Sequence, residues 1–254
     1  MSEPTATPPA ATPRVAAVLL AAGSGTRVGA AGNKVLLPLG EQPVLGWSLR
    51  TVRGLAYVDQ VVVVFRAADR SAVQRIAGSD VLLVEGGPSR HASEWNALTS
   101  LAERIDAGRL DMVAIHDTAR PLASAELWDR VVEAAVEHGG AIPVRHQPGL
   151  LTPEGNIPGD GDLVAVQTPQ AFQARPLLDA YRQAHAEGFE GTDTAACVGK
   201  YADLEVHGVE APATNLKITF PEDVAVAERL LPAKPSAARL TTRHRATDHS
   251  APRD

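Results

Sequence analysis

A single cysteine, Cys197, means that no disulfide can form within this 254-residue chain, and a reducing cytoplasm is the compartment expected for it. Cys197 sits in a helix-like run, TAACVGK, and reads as a small buried apolar residue rather than a nucleophile. Aromatic residues are scarce at 4%, so the core has to be aliphatic. No apolar run reaches the ~20 residues that a membrane span needs. The opening MSEPTATPPAATPR lacks the charged-then-apolar order of a signal peptide and reads as a Pro/Ala/Thr-rich leader over residues 1–13. A basic excess is missing too. The net charge of −6 argues against nucleic acid as an electrostatic partner.

What is present is an aliphatic chain, 44% hydrophobic, of a size for one large domain or two small ones. Strand and helix patterns alternate from Val15: strands at 15–20, 60–65, 81–84, 112–116 and 141–144, and helices at 44–55, 68–77, 92–107 and 125–138. Continuous apolar runs such as QVVVVF suit buried parallel strands, and the order predicts an open, mostly parallel sheet with helices on both faces. Residues 145–162 break the pattern with Pro and Gly and read as an irregular excursion or short β-arm. Further strands are expected at 163–166, 204–209 and 216–219, with helices near 174–187, 192–200 and 222–231. The domain thus runs over 14–232. The tail 233–254 is basic and low in apolar residues, and reads as solvated and disordered. Sheets of this kind bind ligands beyond the carboxyl ends of their strands, which singles out the loops 21–34, 85–91 and 116–121.

The first of these loops carries the most chemistry. LAAGSGTR (Leu20–Arg27) leaves a buried strand directly, and Lys34 follows. Gly23 and Gly25 have no Cβ to keep backbone N–H groups from phosphate oxygens, and Arg27 and Lys34 add two cations. An ordinary tight turn is the competing reading. The run fits neither a Walker loop nor the dinucleotide fingerprint, because no Gly-Lys-Ser/Thr closes it, its third glycine comes one place late and the second strand ends Phe65-Arg66 with no acid. An NAD-dependent dehydrogenase is therefore disfavoured.

In IHDTARP, a strand delivers His116 and Asp117 to its end and Arg120 to the turn. Asp117 suits a metal ion or a substrate hydroxyl, and Arg120 suits a phosphate, unless the pair merely fixes the turn. His116 reads as a structural strand-end residue. QTPQAF (Gln167–Phe172) follows another strand. In TNLKITFPED, Lys217 lies between Leu216 and Ile218, where edge-strand protection is the plainer role, and PED is an ordinary helix start.

LAAGSGTR with Lys34, GGPSRHAS, HDTARP, QTPQAF, GTDTAA and NLKIT occur in that order between Val15 and Leu231. As a set they closely resemble the 2-C-methyl-D-erythritol 4-phosphate cytidylyltransferase family and its ribitol-5-phosphate relatives. The resemblance implies a Rossmann-like three-layer α/β fold of the nucleotide-diphospho-sugar transferase type. It also implies transfer of CMP from CTP to a phosphorylated polyol, with Mg²⁺ as cofactor, in a homodimer that swaps a β-arm. By position, Arg27, Lys34 and Lys217 match the family's catalytic cations. Ala21, Ala22, Gly23 and Gly25 match the backbone that holds CTP, and Gly87 and Ser93 the cytosine loop. Asp117, Arg120, Thr168 and Thr192 match substrate-side residues, with Asp117 as the metal candidate.

The departures gather on the acceptor side. The interval RHQPGLLTPEGNIPGDGDLVAV looks short, lacks the family's Asp-Thr-x-Lys run, and has Asp160 or Asp162 where an acceptor-phosphate arginine is expected. Arg145 and His146 are the nearest replacements. Leu20 stands for a usual proline, Pro88 for a polar residue, and Glu94-Trp95 for a small apolar one, where the helix exterior is one place for them. A paralogue acting on another polyol phosphate or phosphonate, or a silent nucleotide-binding homologue, is the alternative.

Overall fold

The structure is a computed structural model that describes residues 12–23, 33–147 and 163–231. Leader residues 1–11, loop residues 24–32 with Gly25 and Arg27, arm residues 148–162 with Asp160 and Asp162, and everything after Leu231 lie outside the described residues.

Strand β1 (Val15–Leu20) opens the fold, and a small hairpin of β2 (Pro38–Leu39) and β3 (Gln42–Pro43) leads into helix α1 (Val44–Arg53). Then β4 (Val58–Phe65), α2 (Arg70–Ala77), β5 (Leu82–Glu85), α3 (Arg90–Asp106), β6 (Met112–Asp117) and α4 (Ala125–His138) alternate. Three strands follow: β7 (Gly139–His146), β8 (Val164–Val166) and β9 (Gln170–Gln173). The described chain closes with α5 (Ala174–Glu187), α6 (Thr194–Tyr201), β10 (Glu205–Glu210) and α7 (Pro221–Leu230). The expected α/β alternation is present, with element ends shifted by a residue or two.

The main sheet runs β10-β7-β9-β6-β1-β4-β5, with β8 paired to β7. β1 is parallel to both β4 and β6, β4 to β5, and β10 to β7, whereas β9 is antiparallel to both β6 and β7. β1 is apolar throughout because both its faces are covered. Val15, Ala17 and Leu19 pack into a core with Leu45, Leu49, Val73, Leu127 and Trp128 of α1, α2 and α4. Ala16 and Val18 pack into the opposite core with Leu98, Leu101, Leu177, Tyr181 and Cys197 of α3, α5 and α6. This alternation along one strand makes three layers. At the end of α4, Gly139 adopts φ +96. That left-handed conformation suits glycine and lets β7 start where the helix stops.

One strand was not expected, and one expected strand is absent. Within QTPQAF, Gln170–Gln173 forms β9 between β6 and β7. Four residues are too few to display a strand period, yet Ala171 and Phe172 are each fully buried, in opposite cores. Residues 216–219 form no strand. They run extended over the turn after β6, with Ile218 N–H donating to Ala119 O at 2.8 Å. The apolar alternation there reflects docking onto a loop, not sheet pairing.

Phe172 fills the space above Gly140, where an added Cβ would lie 2.7 Å from the Phe172 ring. Phe172→Ala is expected to lower the unfolding free energy by about 3–5 kcal/mol in urea titrations, and a loss under about 1 kcal/mol would contradict this packing.

Candidate active site

β1, β4, β5 and β6 are parallel, so the loops after them emerge at one edge of the sheet. Thr118 N–H donates to Leu20 O at 3.2 Å, which ties the turn after β6 to the end of β1. Asn33 is buried and donates to Ala21 O at 2.6 Å and to Asp69 Oδ2 at 2.9 Å. These bonds bring the chain back beside β1 after the phosphate loop and place Lys34 at the start of a short 3₁₀ turn, Lys34–Leu36. Gly86 packs so close that an added Cβ would lie 2.6 Å from Ala22 Cβ, and one on Gly87 would lie 2.5 Å from Ala92 Cβ. Both positions require glycine, because a side chain at Gly86 would push its loop off Ala22 and one at Gly87 would push it off the first turn of α3.

A carboxylate stands at the centre. Asp117, the last residue of β6, accepts from Lys217 Nζ at 2.5 Å on one oxygen and from Arg90 Nη1 on the other. Burial pushes the Asp117 carboxyl up, but Arg90 and Lys217 more than reverse this and hold it well below the usual carboxylate range. Lys34 Nζ donates to Ile218 O at 2.8 Å, one residue from Lys217. The segment carrying Lys217 is pinned from below, since Arg120 Nη1 donates to Asn215 O at 2.7 Å and Asn215 Nδ2 donates to Gln167 Oε1 at 2.8 Å. Lys217 and Arg90 thus hold Asp117, while Arg120 and Lys34 bond the backbone on either side of Lys217, at Asn215 and Ile218. Arg90 Nη2 and Arg120 Nε are buried donors without a hydrogen-bond partner among the described residues. Buried donors of this kind are suited to an anion.

His116 explains how the turn holds its shape. Its Nε2 faces Arg120 O at 3.1 Å, which only an N–H can satisfy, so Nδ1 accepts from the Thr168 hydroxyl at 3.1 Å. The Thr168 oxygen in turn accepts from Asp117 N–H at 3.0 Å. Burial pushes the His116 imidazole down to about 4, so it is neutral at ordinary pH. Its expected structural role agrees with this geometry.

Of the expected site residues, Lys34, Lys217, Asp117 and Arg120 come together. Thr168 sits among them, with its hydroxyl spent on His116 and Asp117. Ala21 N–H is taken by Val64 O at 2.8 Å, while Ala22 and Gly23 form the described start of the glycine-rich loop, where an added Cβ on Gly23 would meet nothing within 4 Å among the described residues. Ser93 Oγ accepts from Gly87 N–H at 3.1 Å and donates to Ser89 O at 2.9 Å, and so shapes the loop after β5. Thr192 is exposed, between Gly191 and Asp193, the α6 N-cap. Cys197 is buried, with its thiol pushed up to about 12 by burial, as befits a packing residue.

Sequence reasoning missed the second layer. Glu94 is fully buried, accepting from Tyr181 Oη at 2.5 Å and from Thr194 Oγ1 at 2.9 Å, with its carboxylate 3.0 Å from Arg90 Nε. The helix exterior considered for Glu94 is therefore ruled out, and Trp95 is half-buried with its ring on His185 at 4.7 Å. A signal did exist. Glu94 precedes Ala97, Leu98 and Leu101 at helical spacing, on the buried stripe of α3. Burial pushes the Glu94 carboxyl up against the pull of Arg90 and the two hydroxyls.

A family model described as IspD, 2-C-methyl-D-erythritol 4-phosphate cytidylyltransferase, matches residues 15–233. The enzyme of that name from Cereibacter sphaeroides is 42% identical over 224 residues, covering 85% of this chain and 96% of the relative. The Symbiobacterium thermophilum enzyme is 37% identical over 226 residues, covering 85% and 92%. Among solved structures, 4-diphosphocytidyl-2C-methyl-D-erythritol synthase from Anaerococcus prevotii superposes with a TM-score of 0.73 at 25% identity, over 87% of this chain and 99% of that one. The Thermus thermophilus cytidylyltransferase gives 0.64 at 31% identity, over 84% and 96%.

The depressed imidazole has a consequence for stability. As pH falls through 6.5 an unfolded His116 takes up a proton, whereas the folded one resists until about 4, so its contribution is full above 6.5 and is lost towards 4. Between pH 7 and pH 4 the stability advantage of the parent chain over His116→Gln is expected to shrink by on the order of 3 kcal/mol, followed by urea unfolding. A pH-independent difference would contradict the buried neutral imidazole.

Proposed function

This chain belongs to the 2-C-methyl-D-erythritol 4-phosphate cytidylyltransferase family, and we propose from that premise that it transfers CMP from CTP to 2-C-methyl-D-erythritol 4-phosphate. Pyrophosphate is the other product, and the step belongs to isoprenoid precursor synthesis by the non-mevalonate route. The observation that carries the reading is the joining of four cations at the carboxyl end of β6: Lys217 and Arg90 on Asp117, and Lys34 and Arg120 on the segment that carries Lys217.

Both reactants are anions, so the chief task is to offset their repulsion and to spread charge as the reaction proceeds. An acceptor phosphate oxygen attacks the α-phosphorus of CTP. The bond from that phosphorus to the bridging oxygen breaks, and the electron pair leaves with pyrophosphate. Lys34 and Lys217, each already holding an oxygen in the structure, are placed to exchange it for phosphate oxygens. Arg27 lies outside the described residues and joins them as a proposal from its position in the phosphate loop. No general base is required, because a phosphate monoester is already ionised near pH 7, with a second pKa of about 6. That His116 is held neutral down to about 4 and the Cys197 thiol is pushed up to about 12 agrees with a mechanism that asks no proton transfer of either.

Mg²⁺ fits the donor chemistry of Asp117, a hard, ionised oxygen donor at the strand end that Lys217 would vacate. Asp117 would hold it together with phosphate oxygens, and the ion would supply further charge neutralisation. On the acceptor side, Arg145 and His146 are exposed at the end of β7, and we assign them the acceptor phosphate in place of the missing arginine. A homodimer is proposed through the arm. β8 pairs with the end of β7 and leaves Leu163, Val164 and Val166 about two-fifths exposed, at 40%, 43% and 42%. A cytoplasmic enzyme fits its one buried thiol. Among the described residues, no helix is long and apolar enough to cross a membrane.

With CTP, Mg²⁺ and a panel of polyol phosphates, pyrophosphate release is expected with 2-C-methyl-D-erythritol 4-phosphate. Release only with another polyol phosphate would replace the acceptor, and silence across the panel would refute the transferase. Lys34→Ala is expected to lower kcat by about 10²-fold or more in the same assay, and near-parental turnover would remove Lys34 from the chemistry.

A further inference from the structure

Three metal-ligating side chains that the transfer reaction does not use stand together at the far edge of the sheet. His138 is the last residue of α4. Glu205 and His207 alternate along β10 and so share one face of that strand. β10 pairs with β7 with Glu205 opposite Gly139 and His207 opposite Ala141, which sets the start of β10 beside the end of α4. The imidazoles of His138 and His207 stack at 4.4 Å between ring centroids, with 10° between planes. His138 Nδ1 lies 3.8 Å from Glu205 Oε2, and one ligand atom from each of the three residues lies within 4.8 Å of the other two.

We propose that His138, Glu205 and His207 bind one divalent transition-metal ion of the zinc class, with water completing the coordination. Two imidazoles and one carboxylate are a donor set for zinc rather than for magnesium, which prefers oxygen alone. Ligand atoms in a tetrahedral zinc site are about 3.3 Å apart, given metal–ligand bonds of about 2.0–2.1 Å. Rotation of exposed side chains, Glu205 and His207 among them, covers the difference while helix and strand stay where they are. Glu137 adds a second carboxylate oxygen 4.0 Å from His138 Nε2 and strengthens the local negative charge.

The place says what such an ion would do. β7 and β6 are both antiparallel to β9, hence parallel to each other. Gly139 begins β7, so this cluster lies at the amino ends of the strands, whereas Asp117 lies at a carboxyl end. The ion is therefore separate from the transferase chemistry. Among the described residues, β10 is an edge strand with β7 as its one neighbour in the sheet. A metal bridging it to α4 fastens that edge.

The test uses the full-length chain without a histidine tag, freed of metal by a chelator and titrated with Zn²⁺ against a chromophoric competitor. One tight equivalent is expected, unaffected by a thousandfold excess of Mg²⁺. His138→Ala and His207→Ala are each expected to weaken it by about tenfold or more, since even partners outside the coordination sphere are worth 10–100-fold. CMP transfer should be equal in parent and variants, which reports that the variants fold. Independently of any variant, Zn²⁺ is expected to slow amide hydrogen exchange at 205–207 and leave β5 unchanged. Undiminished tight binding in the doubly substituted chain, absence of a tight equivalent in the parent, or no protection at β10 would each overturn the proposal.

Discussion

One carboxylate organises the active end of this molecule. Asp117 is carried to the end of a fully buried strand, where burial alone would favour its neutral acid form. It stays ionised because Arg90 and Lys217 approach it from two sides. The dependence is mutual, since Arg90 is itself partly buried between Asp117 and Glu94. Two anionic reactants need several cations close together, and like charges resist that. A shared counterion lets the cations gather before the anionic reactants arrive.

Around this core, each loop is held by a bond to another loop rather than by secondary structure of its own. Asn33 bonds back to Ala21, Asn215 and Ile218 dock the Lys217 segment onto the turn after β6, and Thr168 supports that turn from β9's side. Neutral His116, locked between Thr168 and a carbonyl, keeps the turn rigid without adding a charge to a crowded site. Glu94 extends the support inward. With Tyr181 and Thr194 it makes a buried polar cluster behind Arg90.

The sheet and its loops were legible because apolar runs and glycine turns obey local rules. β1, β4 and β6 are buried on both faces and read so directly, and the parallel order follows from strand–helix alternation. The strand of Gln170–Gln173 was not legible, since it is four residues long and exists only because β6 and β7 leave a gap between them. Lys34, Lys217, Arg120 and Asp117 were found as residues, but Arg90 was not, and neither was the pairing that joins Arg90 and Lys217 through Asp117. That Arg90 and Lys217 share Asp117 depends on contacts 27 and 100 positions apart, which no local pattern encodes. For Glu94 the helix exterior was left open, while its spacing to Ala97, Leu98 and Leu101 pointed to the core.

The central claim is that Lys34 and Lys217 leave protein oxygens to take up a single triphosphate. A crystal structure of the chain with CTP and Mg²⁺ tests it directly. Both ammonium groups should lie within about 3 Å of triphosphate oxygens, with the Lys217–Asp117 contact opened. A triphosphate bound elsewhere, with Lys34 still on Ile218 O and Lys217 still on Asp117, would contradict it.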